Sequence, residues 1–471
     1  MNSLLKYSLS VCLPSMALTM LVMLVMALVC TVAAPAAQAR SEALAPPAEP
    51  LRVLMVTGGG WHDYDTQKGL LEQGLTERIG NISFTIDHES GTATDARLSR
   101  FADDRWAAQY DLVVYNHCHS HVEDKAYIDG IVQAHVEHEL PAVMLHCAMH
   151  SFRSVESNWQ AFAGVRSVRH EAHRAFTVEN MLPTHAVMAN FPRTWRTPNG
   201  ELYEIIELML TATPLARAWG VDTHRYHEVA WVNEYEGVRV FGTTLGHHNE
   251  TMGSDVNLNL VAAGLLWAAG KLDDSGRALP GFEGDRGLGW ISLWDGQTLN
   301  GWRASENTES FQVEDGKIVV DGPRSHLFYE GPVVGGDFVN FEFKTDVYTY
   351  PRANSGVFFH SRFQDFGWPQ FGYEAQVNAT HRDPRKTGSL YAVSDLMDNA
   401  PHNDNEWFHY HIQVDGRDIR FWVDGAKVLD FTEPDDRTGT IRLNRGTISL
   451  QAHDPESRIY YRDLYIRLWP E

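Results

Sequence analysis

In the last third of the chain, polar residues recur at every second position along several runs of strand length. Glu374, Gln376 and Asn378 follow this spacing, as do His409, His411 and Gln413, and again Ser449, Gln451 and His453. A β-strand sends alternate side chains to one face, so the pattern predicts a sheet with one face of carboxylate, amide and imidazole groups. Trp368, Tyr373, Tyr391, Trp407 and Trp422 crowd the same stretch and supply flat apolar rings of the kind on which pyranose C–H faces stack. Turns at Glu314-Asp315-Gly316, Val414-Asp415-Gly416 and Val423-Asp424-Gly425 separate short strand runs and predict an antiparallel sandwich.

The preceding part has a different rhythm. Residues 51–57 form an apolar strand run ending in Gly58-Gly59-Gly60, and residues 66–79 have helical spacing. Strands follow at 110–115, 141–145 and 238–244, with helices at 127–139 and 256–269. That alternation predicts an α/β domain built on a doubly wound, mostly parallel sheet. A Gly-, Pro- and Asp-rich stretch at 273–288 marks the boundary, giving domains at 51–272 and 289–471.

The N-terminus reads as an export signal over residues 1–39. Lys6 precedes an apolar run at 16–32, and Ala37-Gln38-Ala39 is a small-x-small cleavage site. A membrane anchor is the competing reading of that run; Ala, Pro and Gln after it, in place of basic residues, favour cleavage. Residues 40–50 then form a linker, and the chain is expected in the periplasm or outside the cell with no remaining membrane tie. The 39 Lys and Arg against 61 Asp and Glu argue against nucleic acid or an anionic membrane as partner, and suit a neutral polar ligand such as a carbohydrate. Cleavage leaves Cys118 and Cys147, which indicate no disulfide framework. Nothing in the sequence fixes an oligomeric state.

Specific motifs stand in order along the C-terminal domain. They are Leu293-Trp294-Asp295-Gly296, Phe311-Gln312-Val313-Glu314-Asp315-Gly316, Asn354-Ser355-Gly356-Val357-Phe358-Phe359, Gly372-Tyr373-Glu374-Ala375-Gln376, Thr387-Gly388-Ser389-Leu390-Tyr391 and Leu450-Gln451-Ala452-His453-Asp454. Together they resemble the 3-keto-disaccharide hydrolase family, a concanavalin- or laminarin-lectin-like jelly roll. The resemblance implies action on glycosides already oxidised to a ketone at C3. That ketone acidifies the C2 proton, so a base can expel the glycosidic oxygen from C1 by elimination, and water then adds back. Glu374, His453, Arg362 and His360 are the catalytic candidates: Glu374 or His453 as base, and Arg362 or a bound cation as stabiliser of the enolate. Asn354, Gln376, Asn378, Tyr391, Gln451 and Trp407 are the substrate-binding candidates. His360 stands where the family pattern has an Arg, Trp407-Phe408 replaces a Trp-Asn pair, and Asp424-Gly425 replaces an Asn-Gly turn. The alternative is a lectin-like module that binds sugar without chemistry.

In the N-terminal domain, residues 53–63 with Trp61-His62-Asp63, Leu145-His146-Cys147-Ala148-Met149-His150, Gly200-Glu201-Leu202-Tyr203-Glu204 and Thr244-Leu245-Gly246-His247 resemble the ThuA-like (trehalose-utilisation) family. The resemblance implies a class I glutamine-amidotransferase-like fold and a link to sugar metabolism. In such sheets functional groups gather beyond the C-terminal strand ends, where His62, His117, His146, His150 and His247 follow predicted strands. They suit a divalent metal such as Zn, with His62, His146 and His150 as expected ligands, or acid–base work without a cofactor. A thiol triad of Cys147 with His248 and Glu250 is disfavoured, because His146, Ala148 and Met149 replace the glycines that a nucleophile elbow needs.

Overall fold

Leu51–Gly59 (β1) has a single exposed residue, Arg52, as expected of a strand covered on both faces. The computed structural model describes residues 49–469 apart from 89, 90 and 104, so the expected export signal lies outside the described residues. β1 lies between Ile82–Asp87 (β2) and Leu112–Cys118 (β3); beyond β3 come Ala142–Leu145 (β4) and Val238–Thr243 (β11), all parallel. Three longer helices pack around this half: Tyr64–Arg78 (α1), Lys125–Glu137 (α2) and Asp255–Ala268 (α3). Asp63 and Asp124 cap α1 and α2 by accepting from Thr66 N (3.2 Å) and Tyr127 N (3.1 Å), which satisfies otherwise orphaned donors.

The remaining half of the sheet adds antiparallel strands to the expected parallel half. Val165–His170 (β5) pairs with Tyr203–Leu208 (β8) in a separate ribbon, while Thr177–Asn180 (β6), Thr194–Arg196 (β7), Ala212–Gly220 (β9) and Arg225–Tyr235 (β10) extend the main sheet beyond β11. These added strands are antiparallel. β10 and β11 are joined by a tight turn at Glu236 and Gly237, both at positive φ, so no crossover helix is needed and none shows in the sequence. The cysteine reading is also corrected. Cys118 ends β3 and Cys147 follows β4, and the pairing of these strands brings the two Cα atoms to 5.1 Å, joined by a disulfide. Topology, not their separation in sequence, makes them partners.

The C-terminal region is the expected antiparallel sandwich. One sheet contains Trp302–Ala304 (β13), Ser325–Tyr329 (β16), Thr447–Ala452 (β23), Ser355–Ser361 (β18) and Tyr373–Val377 (β19), in that spatial order. The facing sheet runs from Phe311–Glu314 (β14) through Lys317–Asp321 (β15), Arg458–Leu468 (β24), Phe341–Thr349 (β17), Trp407–Asp415 (β20) and Asp418–Val423 (β21) to Ala426–Thr432 (β22), with Trp290–Ser292 (β12) also pairing to β24. Asp424 (φ 49°) and Gly425 (φ 77°) make the positive-φ turn between β21 and β22. His409, His411 and Gln413 lie on β20 in this second sheet, so they do not share a face with Glu374. His409 meets Asp346 (3.1 Å) and His411 meets Glu342 (3.1 Å), which is hydrogen bonding across neighbouring strands.

Residues 273–288 are packed along the end of α1. Gly80 N donates to Phe282 O (3.1 Å), Gly284 N to Arg78 O (3.2 Å) and Arg286 N to Glu77 O (2.9 Å). Arg78, fully buried, donates to Asp255 (2.7 Å) and Asn259 (2.8 Å), and Arg286 pairs with the same Asp255. Asp255 also accepts from Ser292 N (2.9 Å) and the Asn259 amide donates to Trp290 O (3.2 Å), so α3 is stitched to the first strand of the sandwich. Among the described residues no helix is long and apolar enough to cross a membrane.

Candidate functional sites

A pocket of about 320 Å³ opens on the five-stranded sheet, lined by Asn354, Phe358, Trp368, Glu374, Gln376, Tyr391, Gln451 and His453 among others. Strand register explains the gathering. Phe358 stands opposite both Glu374 and Ser449, and Gly356 opposite Gln376, so alternate residues of β18, β19 and β23 share this face. Gly356 makes room for the carboxyl: a Cβ there would lie 2.4 Å from Glu374 Oε1.

Glu374 is held by amides. Gln451 Nε2 donates to Oε1 (3.1 Å), and the Gln376 amide, with its nitrogen turned to the acceptors, donates to Glu374 Oε1 (3.2 Å) and Ser355 O (2.9 Å). Burial pushes the Glu374 carboxyl up to about 8; the Gln451 hydrogen bond opposes the rise and the Asp383 carboxylate adds to it. The amide oxygen of Gln451, Oε1, is buried without a partner among the described residues and sits in the pocket wall as an acceptor. His453 places Nδ1 2.6 Å from Asp454 Oδ2, which orients the ring and leaves Nε2 as its second nitrogen. Trp368 tilts against His453 with centroids 5.2 Å apart and has Arg324 over its ring at 5.2 Å. Tyr391 donates its hydroxyl to Asp383 (3.0 Å).

Asn354, Glu374, Gln376, Tyr391, Gln451 and His453 are thus brought together, and four other candidates are not. His360 would continue the pocket-facing alternation, but β18 bulges between Phe358 and Ser361 and His360 takes φ 54°. Its ring is spent on the backbone, donating from Nε2 to Val339 O (2.9 Å) and accepting at Nδ1 from Asn444 N (3.1 Å). Arg362 is exposed and lies over Phe371 at 4.6 Å. Asn378 braces a loop through Asp383 O (2.9 Å), Arg385 O (2.7 Å) and His381 N (2.9 Å). Trp407 belongs to the opposite sheet, under Arg462 at 4.1 Å. His381 was not anticipated: it approaches Asn354 (3.2 Å) and shares a cluster with His453 and Asp454.

A second cluster lies beyond the C-terminal ends of the parallel strands. His62, His146, His247 and Glu201 each present a donor atom, all within 4.8 Å of one another. His146 Nε2 and His247 Nδ1 both stand 3.2 Å from Glu201 Oε2. Burial pushes His62 down to about 2, with the neighbouring His146 and His247 adding to the fall. Burial alone would raise the Glu201 carboxyl, but the neighbouring His146 and His247 rings hold it far below the usual range. His150 is elsewhere: its ring stacks on Tyr203 at 3.9 Å and Nε2 meets Ser167 Oγ (2.9 Å). His117 is also set apart, bonded to Ser151 Oγ (2.9 Å) and stacked on His119 at 4.8 Å. The expected set of His62, His146 and His150 is therefore corrected to His62, His146 and His247 with Glu201. Glu201 comes from the loop before β8, distant in sequence; its only signal is a carboxylate inside a short motif. Cys147, closed in a disulfide, is no nucleophile.

Residues 289–467 match the family model described as a 3-keto-alpha-glucoside-1,2-lyase-like domain, and residues 52–268 match the trehalose utilisation (ThuA) model. Among solved structures, a provisionally assigned glycosyl hydrolase from Parabacteroides distasonis shares 21% identity over 38% of this chain and 94% of its own, with a TM-score of 0.34. A provisionally assigned ThuA-like protein from Parabacteroides merdae shares 18% over 50% of this chain and 96% of its own, TM-score 0.42. A carbohydrate-binding module from Bacillus subtilis shares 16% over 36% of this chain and 95% of its own, TM-score 0.27. No curated protein matches the chain. The chain joins a ThuA-like region to a 3-keto-disaccharide hydrolase-like one, and the two family matches support a carbohydrate-related function.

Proposed function

We propose that the sandwich pocket cleaves 3-keto-glycosides by elimination across C1 and C2 followed by addition of water, and that the chain works as an exported enzyme. The observation that carries this reading is a carboxyl kept protonated on the pocket floor beside an imidazole whose Nδ1 is taken by a carboxylate. Such a pair divides into acid and base. His453 Nε2 takes the C2 proton, and the electron pair passes into the C2–C3 bond as the C3 oxygen becomes an oxyanion. Collapse of that enolate restores the ketone, forms the C1–C2 double bond and breaks the bond from C1 to the glycosidic oxygen, which receives its proton from Glu374. Water then adds at C1, giving a proton to Glu374, while His453 returns one to C2. Asn354 supplies an amide group for sugar oxygens, Gln376 steadies Glu374, Gln451 Oε1 accepts from a hydroxyl, and Trp368 offers its face to the ring. The Cys118–Cys147 disulfide fits an oxidising compartment, in keeping with the leader pattern of residues 1–39.

The test is turnover of a 3-keto-glucoside by the full chain in deuterated water. Expected are release of aglycone, deuterium at C2 of the sugar and inertness of the unoxidised glucoside. Glu374→Gln and His453→Ala should each lower kcat by about 10²–10⁴-fold. Binding without turnover, or cleavage with no label at C2, would defeat the proposal, the first result in favour of a sugar-binding module.

A further inference from the structure

We infer that the N-terminal domain is built to hold one divalent first-row transition metal between His62, His146, His247 and Glu201. The argument begins with lone pairs. His146 gives Nδ1–H to the Thr244 carbonyl (2.7 Å), so in the neutral ring Nε2 carries a lone pair, and that atom stands 3.2 Å from the Tyr203 hydroxyl and 3.2 Å from the Glu201 carboxylate oxygen. Two acceptors at that distance repel unless a cation lies between them. At His62, Nδ1 bonds the Tyr64 hydroxyl (2.9 Å), and Nε2 is buried with no partner among the described residues.

The spacing fits a metal. Bonds of about 2.0–2.1 Å to nitrogen and oxygen in a tetrahedral site put neighbouring ligand atoms roughly 3.3 Å apart, close to the 3.2 Å from Glu201 Oε2 to both His146 Nε2 and His247 Nδ1. The outer oxygen of Glu201 is itself fixed, 3.1 Å from His170 Nδ1 and 3.1 Å from His173 Nε2. Partners of this kind behind both imidazole and carboxylate orient metal ligands. Backbone strain gathers here too: His146 has φ 47° and Trp61, next to His62, has φ 80°. Both nearby thiols are closed in a disulfide, so the donor set is imidazole and carboxylate, suited to Zn²⁺ and its neighbours and not to Cu(I).

The experiment strips the full chain with a chelator, reloads it with Zn²⁺, and measures metal content and affinity. The expected result is about one Zn²⁺ per chain, with Co²⁺ in its place giving the visible bands of a low-coordinate site. Glu201→Gln and His247→Ala should each weaken Zn²⁺ binding at least ~100-fold, while His150→Ala changes it only a few-fold. His62→Ala gives the same reading should either of the first two fail to fold. Metal content well below one per chain, equal affinity across these variants, or loss with His150→Ala and retention with His247→Ala would overturn the inference.

Discussion

Glu374 is a carboxyl whose proton the fold retains up to about 8, against an ordinary value of 4.5. Between those values the folded chain binds a proton that the unfolded chain has released, so this contribution is fully present below the ordinary value and is lost as pH rises through about 8. Glu374→Gln cannot ionise and should escape that loss. At pH ~8.5 it is expected to be more stable than the parent by about 1–2 kcal/mol, allowing for the carboxyl opening onto the pocket, and indistinguishable at pH ~4. Urea melts at the two values check this, and a constant difference between them would contradict it. Glu374, Gln376 and Gln451 were legible in the sequence because period-two spacing reports directly which face a strand residue occupies. His360 was misread because a bulge breaks that period, and Glu201 was passed over because loop residues carry no period at all.

Strands and turns set the next level. Gly356 keeps the space that Glu374 fills, with 2.4 Å between an added Cβ and Oε1. Gly356→Ala should therefore displace the carboxyl, lowering kcat/KM by about ten-fold or more and costing about 1–3 kcal/mol of stability. His360→Ala should do the reverse, removing two ties from the end of β18 for about 1–3 kcal/mol while KM and kcat of the folded protein hold. Parallel measurement of melting and turnover separates the two. The Asp-Gly hairpins of the sandwich and the helix-bearing half of the first sheet were readable from turn chemistry and alternating periods. The antiparallel half was not: its strands β9 and β10 do not alternate regularly between buried and exposed, carry mixed polarity and lack the intervening helices that mark a strand boundary.

Across the whole molecule, the buried residues of the first sheet's α1 and α3 face and those of the sandwich belong to one continuous apolar cluster. At its seam Asp255 receives Arg78 and Arg286, one of them fully buried. Asp255→Ala would leave a buried guanidinium without its carboxylate, an expected loss of about 3–5 kcal/mol. Calorimetry should show both regions melting together at a lowered temperature; two separated transitions in the parent chain would refute that coupling. The composition of residues 273–288 marks a boundary but not its packing, because Gly, Pro and Asp signal irregular backbone whether that backbone is loose or packed.

The seam also bears on how the two halves travel through evolution and through the laboratory. A cut between them would strip Asp255 and Asn259 of their bonds to Ser292 N and Trp290 O on one fragment and leave β12 without α3 on the other. Neither half is then a portable cassette, and any swap that grafts a different sandwich onto this α/β region must bring along a matching strand to meet Asp255 and Asn259.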